Sequence, residues 1–306
     1  MAATPSGTAG SGWRGRRRAL LGALGIAALA VVLAAGGILV LRDARAPVPQ
    51  GVRSLTLPST ALGRAMPLQA WVPPGIPEGA RLPVVVLLHG AGGGEATWFG
   101  GDLLGGGLHA EAVAAELIAA GRIPPVVLVA PAIDDSYGVD SPPAADRWTH
   151  GAYETYLRDE LLPALPGLLS VSAEPGGTYL AGLSMGGFAA LHLGLRDPAR
   201  VAGIGALSPA LWVDLPADRA WIEAPGGDRA SHDPLELART ADLDGLRLFL
   251  GRGDADDAWI VDGTSALAAR FAERGRDVTP VEVHGGHDAS TWMALTGPML
   301  EALLGR

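Results

Sequence analysis

The chain has 306 residues, of which 48% are hydrophobic, so it is long enough to bury one large core. Its formal net charge of −9 and the lack of a basic stripe in its body argue against a nucleic acid partner. Cysteine is absent, which excludes disulfides, thiolate zinc sites, cysteine nucleophiles and lipid-modified cysteines.

The N-terminus combines a basic cluster with a long uncharged segment. Residues 1–18 carry several arginines, and 19–41 contain no charged residue, a length that spans a bilayer core of about 30 Å. The basic flank predicts a cytoplasmic N-terminus and an exported body. A cleaved signal peptide is the alternative to an anchor, because residues 44–46 read Ala-Arg-Ala, although Pro47 follows directly. We therefore expect a transmembrane anchor or signal segment at 19–41.

The body begins after a linker at 42–52 and is treated as one domain, residues 53–306. Early strands are predicted at 53–57 and 67–72. Residues 83–88 form a continuous apolar run rich in valine. That pattern is typical of a strand covered by helices on both faces of a parallel sheet.

A glycine-rich loop, His89-Gly90-Ala91-Gly92-Gly93-Gly94, follows this strand. Such a loop exposes backbone N–H groups that can stabilise an oxyanion, and Ala91 is the predicted donor. A phosphate-binding loop is the alternative, but it is disfavoured because neither a Gly-Lys-Ser/Thr ending nor G-x-G-x-x-G follows.

The remainder of the body alternates helices and strands. Its predicted elements are, in order, a helix at 108–120, a strand at 125–130, a polar loop at 134–148, a helix at 153–169, strands at 178–181 and 201–207, an irregular segment at 209–243, a strand at 247–250, a helix at 264–273, a strand at 278–283 and a final helix. This order predicts an α/β fold with a mostly parallel central sheet flanked by helices. The loops 134–148 and 209–243 are expected to shape the mouth of a site.

Gly182-Leu183-Ser184-Met185-Gly186 is a G-x-S-x-G motif between a predicted strand and a predicted helix. A nucleophile elbow requires that placement, with the serine at the tip of a sharp turn. Ser184 is therefore the candidate nucleophile, and the Met185 N–H at the helix N-terminus is a second candidate oxyanion donor. A glycine-rich turn with an unreactive serine is the alternative that the pentapeptide alone allows.

Candidate acids and a candidate base follow later strands. Asp254 and Asp256 come after the strand at 247–250, and His287 comes after the strand at 278–283. The carboxyl ends of parallel strands meet at one edge of a sheet, which would bring these groups to the serine. An imidazole can activate a serine hydroxyl, and a carboxylate can orient the imidazole. A solvated acidic turn is the alternative for the aspartates, whereas an EF-hand calcium loop is out of register.

Seven histidines compete for the role of base. His284 shares a loop with His287, but only His287 follows a Gly-Gly pair that lets the loop fold back towards the nucleophile. His89 is expected to orient the glycine-rich loop. His109 and His192 lie on predicted helices, where a structural role is expected.

Five stretches carry a family resemblance. They are Leu87 to Gly94 with Trp98, Tyr153 to Pro163, Ala181 to Gly187, Leu207-Ser208-Pro209, and Gly285-Gly286-His287-Asp288 with Trp292. Together they resemble the esterase D-like branch of the α/β-hydrolases, which includes S-formylglutathione hydrolases, feruloyl esterases, siderophore esterases and antigen 85 mycolyltransferases. The resemblance extends over about residues 82–292, most of the body.

The resemblance implies an α/β-hydrolase fold with a catalytic Ser-His-Asp triad and no metal or organic cofactor. It implies Ser184 as nucleophile and His287 as base, with the Ala91 and Met185 amides as oxyanion donors. In this branch the acid usually follows, by three residues, a glycine that closes the strand.

That spacing leaves two candidate acids. Counting from Gly253 gives Asp256, which we favour, and counting from Gly251 gives Asp254. The chain departs from the formylglutathione hydrolases at Gly251, where an aspartate is expected, and it lacks their cysteine-containing loop. A cytosolic detoxifying role is therefore disfavoured.

The leading hypothesis is an exported or membrane-anchored serine esterase that hydrolyses small carboxylic esters through an acyl-enzyme intermediate. We expect the catalytic domain on the extracytoplasmic side of the cell membrane, or secreted if the segment is cleaved, with no obligate protein partner. One alternative is an acyltransferase acting on a cell-envelope acceptor, and another is a catalytically inactive surface module of the same fold.

Overall fold

A computed structural model describes residue 49 and residues 51–100, 107–223 and 228–305. The predicted anchor or signal segment at 19–41 lies outside these residues. Within the described part of the chain, no helix is both long and apolar enough to cross a bilayer.

Ten strands and six α-helices make up the described fold. The strands are β1 (Val52–Ser59), β2 (Arg64–Trp71), β3 (Val84–Leu88), β4 (Val127–Pro131), β5 (Asp140–Ser141), β6 (Gly151–Ala152), β7 (Thr178–Leu183), β8 (Gly203–Leu207), β9 (Arg247–Gly253) and β10 (Val281–Val283). The helices are α1 (Ala110–Ala119), α2 (Tyr153–Thr155, a π-helical segment Tyr156–Leu161, and Leu162–Leu168), α3 (Met185–Arg196), α4 (Pro234–Leu237), α5 (Ala258–Glu273) and α6 (Ala289–Leu304). Short 3₁₀ turns lie at Pro175–Gly177, Pro198–Arg200, Ala217–Glu223 and Arg229–Ser231.

One eight-stranded sheet organises the fold, with the order β1-β2-β4-β3-β7-β8-β9-β10. β1 pairs antiparallel with β2, and β2 pairs antiparallel with β4; the remaining strands of this sheet, in the order β4-β3-β7-β8-β9-β10, pair in parallel. The small β5-β6 pair stands apart from this sheet. The predicted α/β fold with a mostly parallel sheet is confirmed, and the parallel strands end at one common edge.

The central strands are buried because helices cover both faces of the sheet. All five residues of β3 are buried, and alternate ones enter different cores. Val84, Val86 and Leu88 pack with Phe188 of α3, whereas Val85 and Leu87 pack on the side of Leu295, on α6. Each fully buried aliphatic side chain of this kind contributes about 1.5–3 kcal/mol through removal of apolar surface from water. The apolar runs at 83–88 and 125–130 therefore correspond to strands that are buried on both faces, β3 and β4.

The predicted and the observed element boundaries differ most at α5. The sequence predicts a helix from residue 264, but α5 begins at Ala258. Gly263 lies inside it, and a Cβ there would stand 2.2 Å from the Leu211 carbonyl oxygen. This glycine permits close approach of the chain rather than ending the helix, which the sequence pattern does not reveal. β10 is also shorter than predicted, and the segment 209–243 contains α4.

Candidate active site

Three loops at the carboxyl edge of the sheet bring Ser184, His287 and Asp256 together. The Ser184 Oγ lies 2.9 Å from His287 Nε2, and His287 Nδ1 lies 2.9 Å from Asp256 Oδ1. Nδ1–H therefore donates to the carboxylate, and in the neutral ring Nε2 is free to accept the serine proton. The three residues follow β7, β10 and β9, as the order of the chain suggested.

The serine occupies a strained turn between β7 and α3. Its backbone has φ 52° and ψ −117°, a conformation that non-glycine residues rarely adopt. The elbow packs tightly, since a Cβ on Gly186 would stand 2.1 Å from the Leu88 carbonyl oxygen. The Ser184 N–H donates to Leu207 O at 2.8 Å, which ties the turn to the end of β8. This geometry leaves the serine partly exposed while its strand and helix are buried.

Asp256 is buried and receives several hydrogen bonds. Besides His287, the Asp257 N–H donates to Oδ1 at 2.9 Å and the Ser208 hydroxyl donates to Oδ2 at 2.6 Å. Burial raises the pKa of the Asp256 carboxyl, but the bonds from His287 and Ser208 outweigh it and leave the pKa below its usual value. The carboxylate can therefore stay charged next to an imidazolium.

The alternative acid and the alternative base form a separate pair. Asp254 Oδ2 lies 3.2 Å from His284 Nδ1, and its Oδ1 accepts the Gly285 N–H at 3.1 Å. The His284 side chain is 96% exposed, whereas that of His287 is 23% exposed. Asp254 thus links the loop after β9 (the acid loop, 254–257) to the loop after β10 (the histidine loop, 284–288) at the surface. Asp256 is the carboxylate in contact with His287.

The predicted oxyanion donors lie at the start of α3 and in the turn after β3. Met185 is the first residue of α3, and Ala91 lies in the turn after β3. Within the described residues, neither backbone N–H has a hydrogen-bond acceptor. Both amides are therefore available to a ligand at the edge where Ser184 lies.

His89 and Asp135 hold the glycine-rich loop. The buried His89 donates from Nδ1 to Gly90 O at 2.8 Å and accepts the Ile133 N–H at Nε2 at 3.0 Å. These partners specify a neutral ring protonated at Nδ1, and burial lowers the pKa of His89 accordingly. Asp135 Oδ1 accepts the Gly92 N–H at 2.6 Å. The sequence suggested the role of His89, but it carried no signal for Asp135 beyond a polar loop.

Aromatic residues join the two loops that were expected to shape the site. The Tyr137 ring lies 5.3 Å from Trp148, 5.8 Å from Trp212 and 5.7 Å from Trp221 between ring centroids. Edge-to-face and tilted contacts of this kind stabilise the packing beyond simple burial. These contacts pack the part of the first loop at 137–148 against the part of the second at 212–221.

Two indole rings adjoin the candidate base. The Trp292 ring is perpendicular to that of His287 at 5.1 Å between ring centroids, and the ring of Trp259, near the start of α5, lies 6.5 Å from it. Trp259 also stacks on Trp212 at 5.2 Å with an interplanar angle of 4°. The site therefore has an apolar aromatic wall close to the imidazole.

His192 belongs to a buried ionic cluster away from the triad. Its Nδ1 donates to His232 O at 2.8 Å, and its Nε2 lies 3.1 Å from Glu154 Oε2. Arg158 and Arg196 contact the same carboxylate. Burial raises the pKa of Glu154, but His192 and the two arginines outweigh it, so the pKa lies below its usual value. The cluster joins α2 to α3 and explains His192 as a structural histidine.

Across the described ranges, no group of three or more His, Asp or Glu side chains could hold a metal ion.

Comparison with known proteins identifies the family. The esterase family model, described as "Putative esterase", matches residues 59–303. An iron(III) enterobactin esterase of Dickeya dadantii is 33% identical over 223 residues, covering 70% of this chain and 46% of that protein. An iron(III) enterobactin esterase of Escherichia coli K12 is 28% identical over 185 residues, covering 60% of this chain and 42% of that protein. The chain thus spans less than half the length of these curated relatives.

A solved structure supports the fold. A ferulic acid esterase superposes with a TM-score of 0.67 at 21% sequence identity, covering 83% of this chain and 97% of that chain. At that identity the similarity establishes the architecture alone. The family match over residues 59–303, which is most of the chain, shows that this chain belongs to the esterase family, and this fits the resemblance to the esterase D-like branch of the α/β-hydrolases.

Proposed function

We propose that this protein is a serine carboxylesterase in which Ser184 is the nucleophile, His287 the general base and acid, and Asp256 the residue that orients His287. The observation that carries the proposal is the continuous hydrogen-bond chain from the Ser184 hydroxyl through both ring nitrogens of His287 to Asp256. Membership of the esterase family supports the same chemistry.

The first half-reaction forms an acyl-enzyme. The Ser184 Oγ attacks the ester carbonyl carbon while His287 Nε2 takes its proton. The tetrahedral oxyanion is stabilised by the backbone N–H groups of Ala91 and Met185. His287 then gives the proton to the leaving alkoxide, so the C–O bond breaks and the alcohol departs.

Hydrolysis of the acyl-enzyme reverses these roles. A water molecule attacks the acyl carbon as His287 takes its proton, and the second tetrahedral intermediate collapses. The Ser184 Oγ leaves and recovers the proton from His287, and a carboxylic acid is released. Asp256 remains ionised throughout and stabilises the imidazolium.

An ester panel tests the proposal directly. Purified full-length protein is expected to hydrolyse p-nitrophenyl acetate and butyrate and to be labelled at Ser184 by a fluorophosphonate probe. Peptide mass spectrometry locates the label. Folded protein that shows neither turnover nor labelling would support a non-catalytic module instead.

Asp135 offers a test of the oxyanion loop. Replacing Asp135 with alanine removes the acceptor of the Gly92 N–H. The glycine-rich loop that carries Ala91 should then become more mobile. We expect kcat for p-nitrophenyl butyrate to fall about tenfold, part of the hundredfold or more that loss of a whole oxyanion donor costs. Asp135→Asn is the matched control, because its amide oxygen can still accept and its kcat should fall less. Wild-type kcat in Asp135→Ala would show that this contact does not position the loop.

We also propose that the catalytic domain is exported and that residues 19–41 anchor it to the membrane. The support is the uncharged length of this segment and its arginine-rich flank. In spheroplasts of an expressing bacterium, external protease is expected to digest the body while a cytoplasmic marker survives. Carbonate extraction then separates an anchored chain, which stays in the membrane pellet, from a cleaved one. Protection of the body together with the marker would contradict export.

A further inference from the structure

Ser208 is a buried hydroxyl that directly contacts the proposed triad. It has no exposed surface, and its Oγ donates to Asp256 Oδ2 at 2.6 Å. The Gly253 N–H lies 3.4 Å from the same oxygen, a longer contact. Ser208 is thus the close side-chain partner of the carboxylate oxygen that does not face His287.

The backbone of Ser208 is held in an unusual conformation. Its φ is 44°, in the left-handed region that favours glycine. A non-glycine residue there costs of order 1–3 kcal/mol unless its surroundings specify it. Its N–H donates to Gly251 O on β9 at 2.7 Å, which holds the residue just beyond the end of β8. The strained position aims the side chain at the acid loop.

Two consecutive residues at the end of β8, Leu207 and Ser208, connect the nucleophile turn to the acid loop. Leu207 O accepts the Ser184 N–H at 2.8 Å, and the next residue, Ser208, bonds to both Gly251 and Asp256. β8 lies between β7, which leads to the nucleophile, and β9, which leads to the acid. The end of β8 therefore spans the two loops whose relative position the triad requires.

We propose that Ser208 is a positioning residue for catalysis, whose hydroxyl fixes the rotation of the Asp256 carboxylate so that Oδ1 faces His287 Nδ1. This inference rests on the proposed esterase function. Ser208 does not touch the ester or the attacking atoms. Its hydroxyl proton occupies Oδ2 and leaves Oδ1 to the imidazole and to the Asp257 N–H.

Two substitutions distinguish the effect of the Ser208 hydroxyl from the effect of its backbone conformation. Ser208→Ala removes the hydroxyl and keeps the Cβ, and Ser208→Gly removes both but suits the positive φ. We expect both full-length variants to lose roughly tenfold in kcat for p-nitrophenyl butyrate, as loss of a hydrogen bond to a charged group suggests, with KM within about twofold of wild type. Fluorophosphonate labelling of Ser184 should slow in parallel.

Ser59→Ala is the matched control. Ser59 is also a buried serine that donates to a carboxylate, Glu160, but it lies on the edge strand β1. This variant is expected to lower the thermal unfolding midpoint while kcat stays at the wild-type value. A purely structural role for Ser208 would give the same pattern in its own variants.

A spectroscopic readout reports the contact itself. The proton between His287 Nδ1 and Asp256 should give a low-field ¹H NMR resonance that shifts or broadens in both Ser208 variants and is unchanged in Ser59→Ala. Wild-type kcat in either Ser208 variant, or an unaltered resonance, would overturn the inference. If the wild-type protein neither turns over esters nor labels at Ser184, the esterase proposal fails on its own, and the resonance still tests whether Ser208 orients Asp256.

Discussion

Replacing Ser184 with alanine is expected to lower kcat for p-nitrophenyl acetate by about a millionfold, the size of effect that removal of a triad nucleophile has in serine hydrolases. The substitution removes only the Oγ that lies 2.9 Å from His287 Nε2. Alanine keeps the Cβ, so the strained backbone of the elbow and its packing should be unchanged. Initial-rate assays on full-length wild-type and variant protein measure the loss.

Two controls make this result decisive. The Ser184→Ala protein should unfold at the same temperature as wild type, because the half-buried hydroxyl contributes little to the core. It should also fail to react with a fluorophosphonate probe that labels wild-type protein. Ester turnover well above the uncatalysed rate in purified, folded variant would mean that another nucleophile acts and would refute the mechanism.

Replacing Asp256 with asparagine is expected to lower kcat by about ten-thousandfold, as in serine hydrolases whose triad acid is neutralised. The amide oxygen of the introduced asparagine can still face His287 and the Asp257 N–H, with its NH₂ towards Ser208, whose hydroxyl can rotate to accept. Packing should therefore survive. The imidazolium that forms during attack would lose its negative partner.

Asp254→Asn is the matched variant in the same loop. Asp254 is exposed and contacts His284 and the Gly285 N–H, which an amide oxygen can still accept. We expect its kcat to stay within about threefold of wild type. Measuring both variants over the same pH range tests the assignment, because comparable losses at the two positions, or a larger loss in Asp254→Asn, would contradict Asp256 as the acid.

The pKa of Asp256 adds a stability consequence. Because the folded state holds this pKa below its unfolded value of about 4, the carboxylate stabilises the fold above that pH. The contribution is lost as the pH falls through the lower, folded pKa. The free energy of unfolding of the wild-type protein should therefore fall with pH over this range by more than that of Asp256→Asn, as denaturant titrations at each pH would measure.

Local patterns were sufficient for the architecture. The apolar runs at 83–88 and 125–130 and the alternation of helices with strands predict a parallel sheet, because burial on both faces leaves no polar side to the strand. The G-x-S-x-G motif between strand and helix likewise places Ser184 at an elbow. These features depend on residues close together along the chain, so they can be read without coordinates.

Contacts between distant segments could not be read in this way. The acidic loop offers Asp254 and Asp256, two residues apart, and spacing alone left both open. Ser208 belongs to a stretch that resembles the esterase branch, yet nothing in Ser-Pro after a strand indicates where its hydroxyl points. Asp135 is one acidic residue in a polar loop until the Gly92 N–H is found beside it.

By itself, the sequence determined the fold class, the elbow serine and the histidine loop, because periodicity, glycine spacing and strand endings are local properties of the chain. Only the tertiary structure decided which carboxylate contacts His287 and which hydroxyl holds that carboxylate. Those choices depend on the stagger of β8, β9 and β10 and on left-handed backbone at single residues. A shift of one or two residues in a loop decides whether a side chain is buried or exposed, as with Asp256 and Asp254. The amino-acid composition of the loop does not determine that choice.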